Sequence, residues 1–333
     1  MKLLYIVDPH LRGTSPRNRL DDYKAASFEK IREVFALARE RRVKAIVTSG
    51  DNLDRPEVAD GFKEDLADLL NESPVDIITT VGNHEIYGYN PDTYKRTSLR
   101  ILERMCPRLQ VVVDPAKAVI LTDGPTIVAL TFAPFSRQMD INGFGYDHNE
   151  KLPEPCYHIH VAHGMLLDHV PPFDRFSLLD DVKTKADMVL SGHDHTGYGV
   201  YNRADGKVFV NPGSITRIQA SVAEIERPIR VAIIDVTAFE AYGGVTGYDA
   251  KVSLVPLKSA KPGPEVLDRS GIEADQKRAY AMAEFQALIQ TEDGKAAVDI
   301  GDIIASIARQ DKLPPEVVEK ALAVIEAQRA NVL

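Results

Sequence analysis

The side chains able to do chemistry fall in five short segments: Asp8-Pro9-His10, Gly50-Asp51-Asn52-Leu53-Asp54, Gly82-Asn83-His84-Glu85, His163-Gly164 and Gly192-His193-Asp194-His195. Five of the nine histidines in the chain lie inside them. Asp8, Asp51, Asn83, His10, His163, His193 and His195 together offer carboxylate, amide and imidazole donors, enough for two metal ions. Such a mixed oxygen and nitrogen set suits manganese, iron or zinc rather than calcium. A pair of ions roughly 3.5–4 Å apart can lower the pKa of a shared water and clamp both oxygens of an in-line displacement at phosphorus.

The elements that must position these donors are legible beside them. Leu3 to Val7 form an apolar run that reads as a strand buried on both faces, and it ends at Asp8. Ala45–Thr48, Ile77–Val81, Ile159–Ala162 and Met188–Leu190 lead in the same way into the other four segments. Each segment therefore sits where a core strand emits a loop, which is where open α/β sheets place their ligands. Glycines next to Asp51, Asn83, His163 and His193 permit the sharp turns that let five loop ends converge.

The five segments, in this order, resemble the calcineurin-like metallophosphoesterases. The resemblance implies an α/β fold, a four-layer αββα sandwich of two mixed sheets. It assigns one metal to Asp8, His10, Asp51 and His195, and the second to Asp51, Asn83, His163 and His193, with the Asp51 carboxylate shared. A hydroxide bridging the metals would attack phosphorus, and His84 would protonate the leaving alkoxide as general acid, a role suited to a group titrating near neutral pH. Asp54 matches the family position that orients this histidine. Two divalent ions are implied, manganese first, with iron or zinc as alternatives.

A second layer of resemblance is to the SbcD-type DNA repair nucleases, phage members included. It rests on Asp8-Pro9-His10-Leu11, on Ser15-Pro16-Arg17-Asn18-Arg19-Leu20-Asp21-Asp22-Tyr23, on Gly82-Asn83-His84-Glu85-Ile86-Tyr87-Gly88, and on Asn211-Pro212-Gly213-Ser214-Ile215-Thr216-Arg217. It makes DNA the expected substrate and Arg17, Ser214 and Arg217 the expected phosphate contacts. Arg12, Arg17 and Arg19 would give the loop after His10 a basic rim. Other readings are a phosphoesterase for a small nucleotide, phosphomonoester or phosphoprotein and, more distantly, a non-catalytic metal-binding scaffold. The scaffold reading predicts lost ligands or a lost His84, and this chain has all of them. His158 and His160 alternate within an apolar strand and read as structural; His148 and His169 read as loop residues, and Asp194 as a solvated or supporting carboxylate.

Composition fits a cytoplasmic enzyme. With 333 residues and 44% hydrophobic content the chain can bury one large core and a small appendage. The first apolar run is too short for a signal-peptide core, and no stretch approaches the ~20 apolar residues of a membrane span. Two cysteines in unrelated contexts argue against a disulfide framework. A formal net charge of −9 gives no global attraction to nucleic acid or to an anionic membrane, so any nucleic-acid affinity must be local.

The pattern predicts helices over 27–42, with Ser27 as a possible cap, 57–70 and 93–105. Strands are expected over 110–113, 118–121 and 127–132, near Val200, and over 208–210 and 231–234. A catalytic domain over 1–255, a linker over 256–266 and a helical C-terminal region over 267–333 follow, with helices at 275–289, 300–309 and 315–329. The tail carries more acid than base, a poor surface for gripping a duplex. By analogy with the nucleases it would dock on an SbcC-like ATPase; a second copy of the chain is the other partner considered.

Overall fold

Every apolar run that precedes a motif forms a strand, and those strands belong to two sheets. The computed structural model describes residues 1–241, 246–268, 270, 317 and 320. In chain order the elements are β1 (Lys2–Ile6), α1 (Tyr23–Arg41), β2 (Ala45–Thr48), α2 (Asp60–Asn71), β3 (Asp76–Thr79), α3 (Ser98–Met105), β4 (Leu109–Val111), β5 (Ala118–Asp123), β6 (Thr126–Ala133) and β7 (Tyr157–Gly164). They continue as β8 (Leu166–Leu167), β9 (Ser177–Leu178), β10 (Met188–His193), β11 (Gly199–Asn202), β12 (Val208–Asn211), α4 (Val222–Glu226), β13 (Arg230–Glu240), β14 (Thr246–Pro256) and α5 (Gly263–Val266).

The first sheet runs β14-β13-β1-β2-β3-β4 and the second β11-β12-β10-β7-β6-β5. Both are mixed. β1 to β4 are mutually parallel, with β13 antiparallel to β1. In the second sheet β6, β7, β10 and β12 are parallel, and β5 and β11 close its edges antiparallel. The strand period of two divides the apolar residues cleanly. Leu3, Tyr5, Val47 and Ile78 meet Leu130, Phe132, Val161 and Leu190 between the sheets. Leu4, Ile6, Ile46 and Ile77 face outward onto Ile31, Phe35, Leu66 and Leu102 of α1, α2 and α3. Over the second sheet, Met139, Tyr146, Leu179 and Val182 from the segment between β6 and β10 pack with the outward-facing Val189 and Phe209. The sandwich is the expected one.

Several boundaries differ for local reasons. α1 begins four residues before Ser27. Asp22 is its cap, its carboxylate accepting from the Ala25 N–H, while the Ser27 hydroxyl lies inside the helix and bonds back to the Tyr23 carbonyl. The helix expected over 93–105 is broken: a 3₁₀ segment, Pro91–Arg96, precedes α3, and Thr97 between them is extended.

The chain divides into two compact units, 1–271 and 272–333. Residues 256–268 are part of the first rather than a free linker. Leu257, Val266 and Leu267 are buried, Arg19 pairs with Leu267 in a β-bridge, and the Glu33 carboxylate accepts from the Lys258 and Ser259 N–H groups. The helices expected beyond residue 272 lie outside the described residues, except that Val317 and Lys320 are helical. Among the described residues no helix is long and apolar enough to cross a membrane. Cys106 and Cys156 are free thiols.

Candidate metal centre

All five motifs meet at the carboxyl ends of β1, β2, β3, β7 and β10, and backbone hydrogen bonds stitch their loops together. The His10 N–H donates to the Asp51 carbonyl and the Leu11 N–H to the Asn52 carbonyl, each at 2.8 Å. The Phe135 N–H reaches from the second sheet to the Val81 carbonyl at 2.9 Å, and the Ile215 N–H reaches the Val7 carbonyl at 3.0 Å. Donors from both sheets are thus fixed on one framework before any side chain is considered.

That framework is strained where the donors sit. Asp8, His10, Asp51 and His193 have φ of 43°, 44°, 47° and 74°, a region L-residues with side chains rarely adopt. Such outliers persist only when their surroundings over-determine them, and they collect at functional sites. Gly82 is required by close approach: a Cβ there would land on the Asp51 carboxylate.

The donor atoms of the two sheets face one another at close range. His163 Nδ1 lies 3.0 Å from the Ser49 carbonyl and donates to it, while Nε2 faces Asp51 Oδ2 at 3.2 Å and Asn83 Oδ1 at 3.1 Å. Burial opposes a charge on this imidazole, but Asp51 and Asp8 raise it to about 9, so Nε2 holds a proton that a bound cation would displace. His10 Nε2 and His195 Nε2 stand 2.9 Å apart, with His10 Nε2 3.7 Å from Asp51 Oδ2 and His195 Nε2 3.8 Å from Asp8 Oδ2. Asp8 Oδ1 and Asp51 Oδ2 are buried with no hydrogen-bond partner. Buried orphans of this kind call for an explanation, and a bound ion is one.

Asp8, His10 and His195 form one group able to hold an ion, and Asp51, His163 and His193 another. Asn83 joins the second through His163. Asp51 divides its oxygens: Oδ1 accepts from the His84 N–H at 2.9 Å, while Oδ2 faces histidines of both groups. Burial pushes His10 down, His193 to about 3 and His195 to about 4, so their rings are neutral and their lone pairs available. Burial opposes the charge on Asp51, but the neighbouring His163 imidazolium holds its carboxyl well below the usual range. The residues fit two small divalent cations.

His84 is half-buried beside His10, ring centroids 4.7 Å apart, and within donor reach of His10 and Asp51. Its Nδ1 lies 2.9 Å from the backbone carbonyl of Asp54. This corrects the expectation that the Asp54 carboxylate orients it. That carboxylate is paired with Arg12 at 2.7 Å and lies 4.0 Å from His10 Nδ1. Glu85 supports the site from below. Fully buried, it accepts from the N–H groups of Asn52 (2.7 Å), Leu53 (3.1 Å) and Gly82 (3.0 Å), fastening the Asp51 loop to the Asn83 loop. Burial, then the neighbouring Asp51 charge, raises its carboxyl to about 7.

The expected phosphate contacts divide differently. Arg17 is exposed on the loop after His10. Arg12 and Arg19 are neutralised by Asp54 and Asp21. Ser214 is fully buried, its hydroxyl donating to the Asp8 carbonyl at 2.8 Å and accepting from the Thr216 N–H. Arg217 is buried too, its guanidinium committed to the carbonyls of Glu224, Arg227 and Lys261. Neither offers a group to a substrate phosphate: Ser214 braces the β1 end, and Arg217 pins residue 261 to α4. Two of the groups that occupy them, the Asp8 and Lys261 carbonyls, come from remote chain segments, which sequence spacing could not reveal.

His158 and His160 are structural, as read. His160 Nε2 must donate to the Gly145 carbonyl at 3.1 Å, so its Nδ1 accepts from the Thr131 hydroxyl, and His158 Nε2–H donates to that same oxygen, both at 2.8 Å. His148 and His169 both lie in loops, as read, His148 buried and His169 exposed beside Asp168. The Asp194 carboxylate accepts from the Thr196 and Gly197 N–H groups and so shapes the turn after His193. Phe135, which no pattern signalled, packs against the His163 and His193 rings at 5.9 and 5.4 Å.

A sandwich of two mixed sheets whose strand ends converge on this donor set has the construction of a metallophosphoesterase. Residues 1–197 match the calcineurin-like phosphoesterase family, and the chain belongs to that family. Solved structures similar to it include a dimetal phosphatase from Danio rerio (14% identity, 77% of this chain and 98% of the other, TM-score 0.40). Vps29 from Chaetomium thermophilum (13%, 77% and 98%, TM-score 0.30) and GAP50 of Plasmodium, the anchor in the inner membrane complex (12%, 78% and 89%, TM-score 0.40), are others. No curated protein sequence matches the chain.

Proposed function

We propose that this metal-dependent phosphoesterase hydrolyses DNA phosphodiester bonds as a nuclease subunit of the SbcD kind. The observation that carries the dinuclear chemistry is Asp51 Oδ2, buried, unpartnered, and facing both His10 and His163. Asp8, His10, Asp51 and His195 would hold one ion, and Asp51, Asn83, His163 and His193 the other, with manganese the first choice. When bound, the ions neutralise the phosphate charge and make a water nucleophilic at neutral pH.

The chain's own groups do the rest. Asp51 and Asn83 fix the two donor groups relative to each other. His84, held by the Asp54 carbonyl at Nδ1, presents Nε2 to the scissile phosphate and delivers the proton to the leaving alkoxide. Ser49 sets the His163 tautomer through its carbonyl. The DNA reading is supported by the SbcD-like segments of the first loop and of residues 82–88, and by the exposed Arg17. Docking of an SbcC-like ATPase through the C-terminal residues belongs to the same proposal.

The test is to incubate the protein and Mn with end-labelled single- and double-stranded DNA, beside His84→Ala and a panel of cyclic nucleotides, phosphomonoesters and phosphopeptides. Cleavage of DNA that His84→Ala loses supports the proposal. Strong turnover of a small ester or phosphopeptide with no cut in either DNA refutes it.

A further inference from the structure

Next to the metal centre the chain holds one aromatic side chain out into solvent at a conformational cost. Residues 87–90 form a tight turn in which the Asn90 N–H donates to the Tyr87 carbonyl at 3.1 Å. Its two central residues, Gly88 and Tyr89, have φ of 57° and 58°. That is the pattern of a type I′ turn, whose second central position favours Gly or Asn. An aromatic ring there is disfavoured, and nothing in the turn needs it, since Asn would give the same backbone.

Surrounding contacts hold the turn and aim the ring. The Tyr87 hydroxyl donates to Glu57, the Tyr87 N–H donates to Thr93 Oγ1, and Arg137 Nε donates to the Gly88 carbonyl at 3.2 Å. Tyr89 is 51% exposed, and its ring meets the buried Phe135 edge-on at 5.5 Å. Phe135 in turn touches the rings of His163 and His193. Tyr89, Phe135 and the second donor group thus form one continuous run of edge-on and tilted ring contacts that opens to solvent at Tyr89. The exposed Arg137 beside the turn adds a cation suited to a neighbouring phosphate.

We infer that Tyr89 is a substrate-positioning platform on which the nucleobase flanking the scissile phosphate stacks. A flat, exposed π-face beside a site for backbone phosphate is how single-stranded nucleic acid is held without reading its sequence. The inference deepens the nuclease reading and rests on it. It makes the preferred substrate a strand whose terminal or flanking base is unpaired, because a base locked in a duplex stack cannot lie on the ring.

The test compares wild type, Tyr89→Asn and Tyr89→Phe on end-labelled single strands, intact or with one tetrahydrofuran abasic residue walked along the chain, with Mn present. Tyr89→Asn suits the left-handed backbone, and its folding is checked by unchanged melting temperature and metal content. For wild type, kcat/KM should fall about tenfold or more when the abasic residue occupies one position beside the cut. Tyr89→Asn should show that loss on intact DNA and lose little more on the abasic strand, while Tyr89→Phe keeps the wild-type pattern. Equal cleavage of intact DNA by Tyr89→Asn and wild type, or the full abasic penalty persisting in Tyr89→Asn, overturns the platform and leaves the nuclease standing. Hydrolysis of a small ester by wild type with no cut in any DNA overturns both.

Discussion

His84 and Asp51 sit side by side but should fail in different ways. Asp51 turns one oxygen, Oδ2, towards both donor groups, so Asp51→Ala should release both ions, seen as metal content falling from two per chain towards none. His84→Ala removes a proton donor and no proposed ligand. It should keep its metal and lose about 10²–10⁴ in turnover, most on esters with poor leaving groups. Equal loss of metal in the two variants would show that His84 is a ligand. Asp54 yields a sharper contrast, because its carbonyl, not its carboxylate, orients His84. Asp54→Asn should therefore change turnover far less than His84→Ala. Sequence placed the donors together because residue type and order were enough. It misassigned the means by which Asp54 acts, since a backbone carbonyl leaves no trace in residue identity.

The strands carry the donors, and polar groups buried between them set the tolerance of the framework. Glu85 ties three N–H groups of the β2 and β3 loops, and Glu85→Ala would leave all three without a protein acceptor. Each buried unsatisfied donor costs about 1–3 kcal/mol, so a fall of several kcal/mol in urea unfolding is expected, together with lower metal affinity. The His158–Thr131–His160 chain across β6 and β7 predicts a pH effect. Burial depresses both imidazoles to about 4 in the folded chain, against about 6.5 when unfolded. Between those values the unfolded chain binds more protons, so stability is full above pH 6.5 and declines as pH falls towards 4. The stability advantage of wild type over His160→Gln should accordingly shrink by about 3 kcal/mol over that window. An unchanged difference would mean that His160 is not buried neutral. Strand identity was legible from apolar runs. The cap of α1 and the break at Thr97 were not, because each depends on which side chain reaches a particular N–H or carbonyl.

Across the whole molecule, the least legible feature was the stretch after β14. Prolines, glycine and lysines between residues 256 and 264 read as a linker, yet Leu257, Val266 and Leu267 are buried, Lys258 and Ser259 are tied to Glu33 of α1, and Arg217 holds the Lys261 carbonyl. Composition reports the turns in such a segment but not the groove it fills. A chain ending at Val255 should be less stable than one ending at Gly271 by about 5 kcal/mol or more, the burial of three large apolar side chains, as measured by chemical denaturation. Similar stability of the two would return the segment to the status of a tether. Most of the sandwich, by contrast, could be anticipated from sequence because the same strand-then-loop pattern recurs before all five motifs. All of the proposed chemistry depends on the two sheets presenting those loops to one another with Asp51 between them. Anomalous diffraction from crystals grown with Mn tests this most directly. The account predicts two peaks roughly 3.5–4 Å apart, both in contact with the Asp51 carboxylate; a single ion, or two of which Asp51 touches only one, would contradict it.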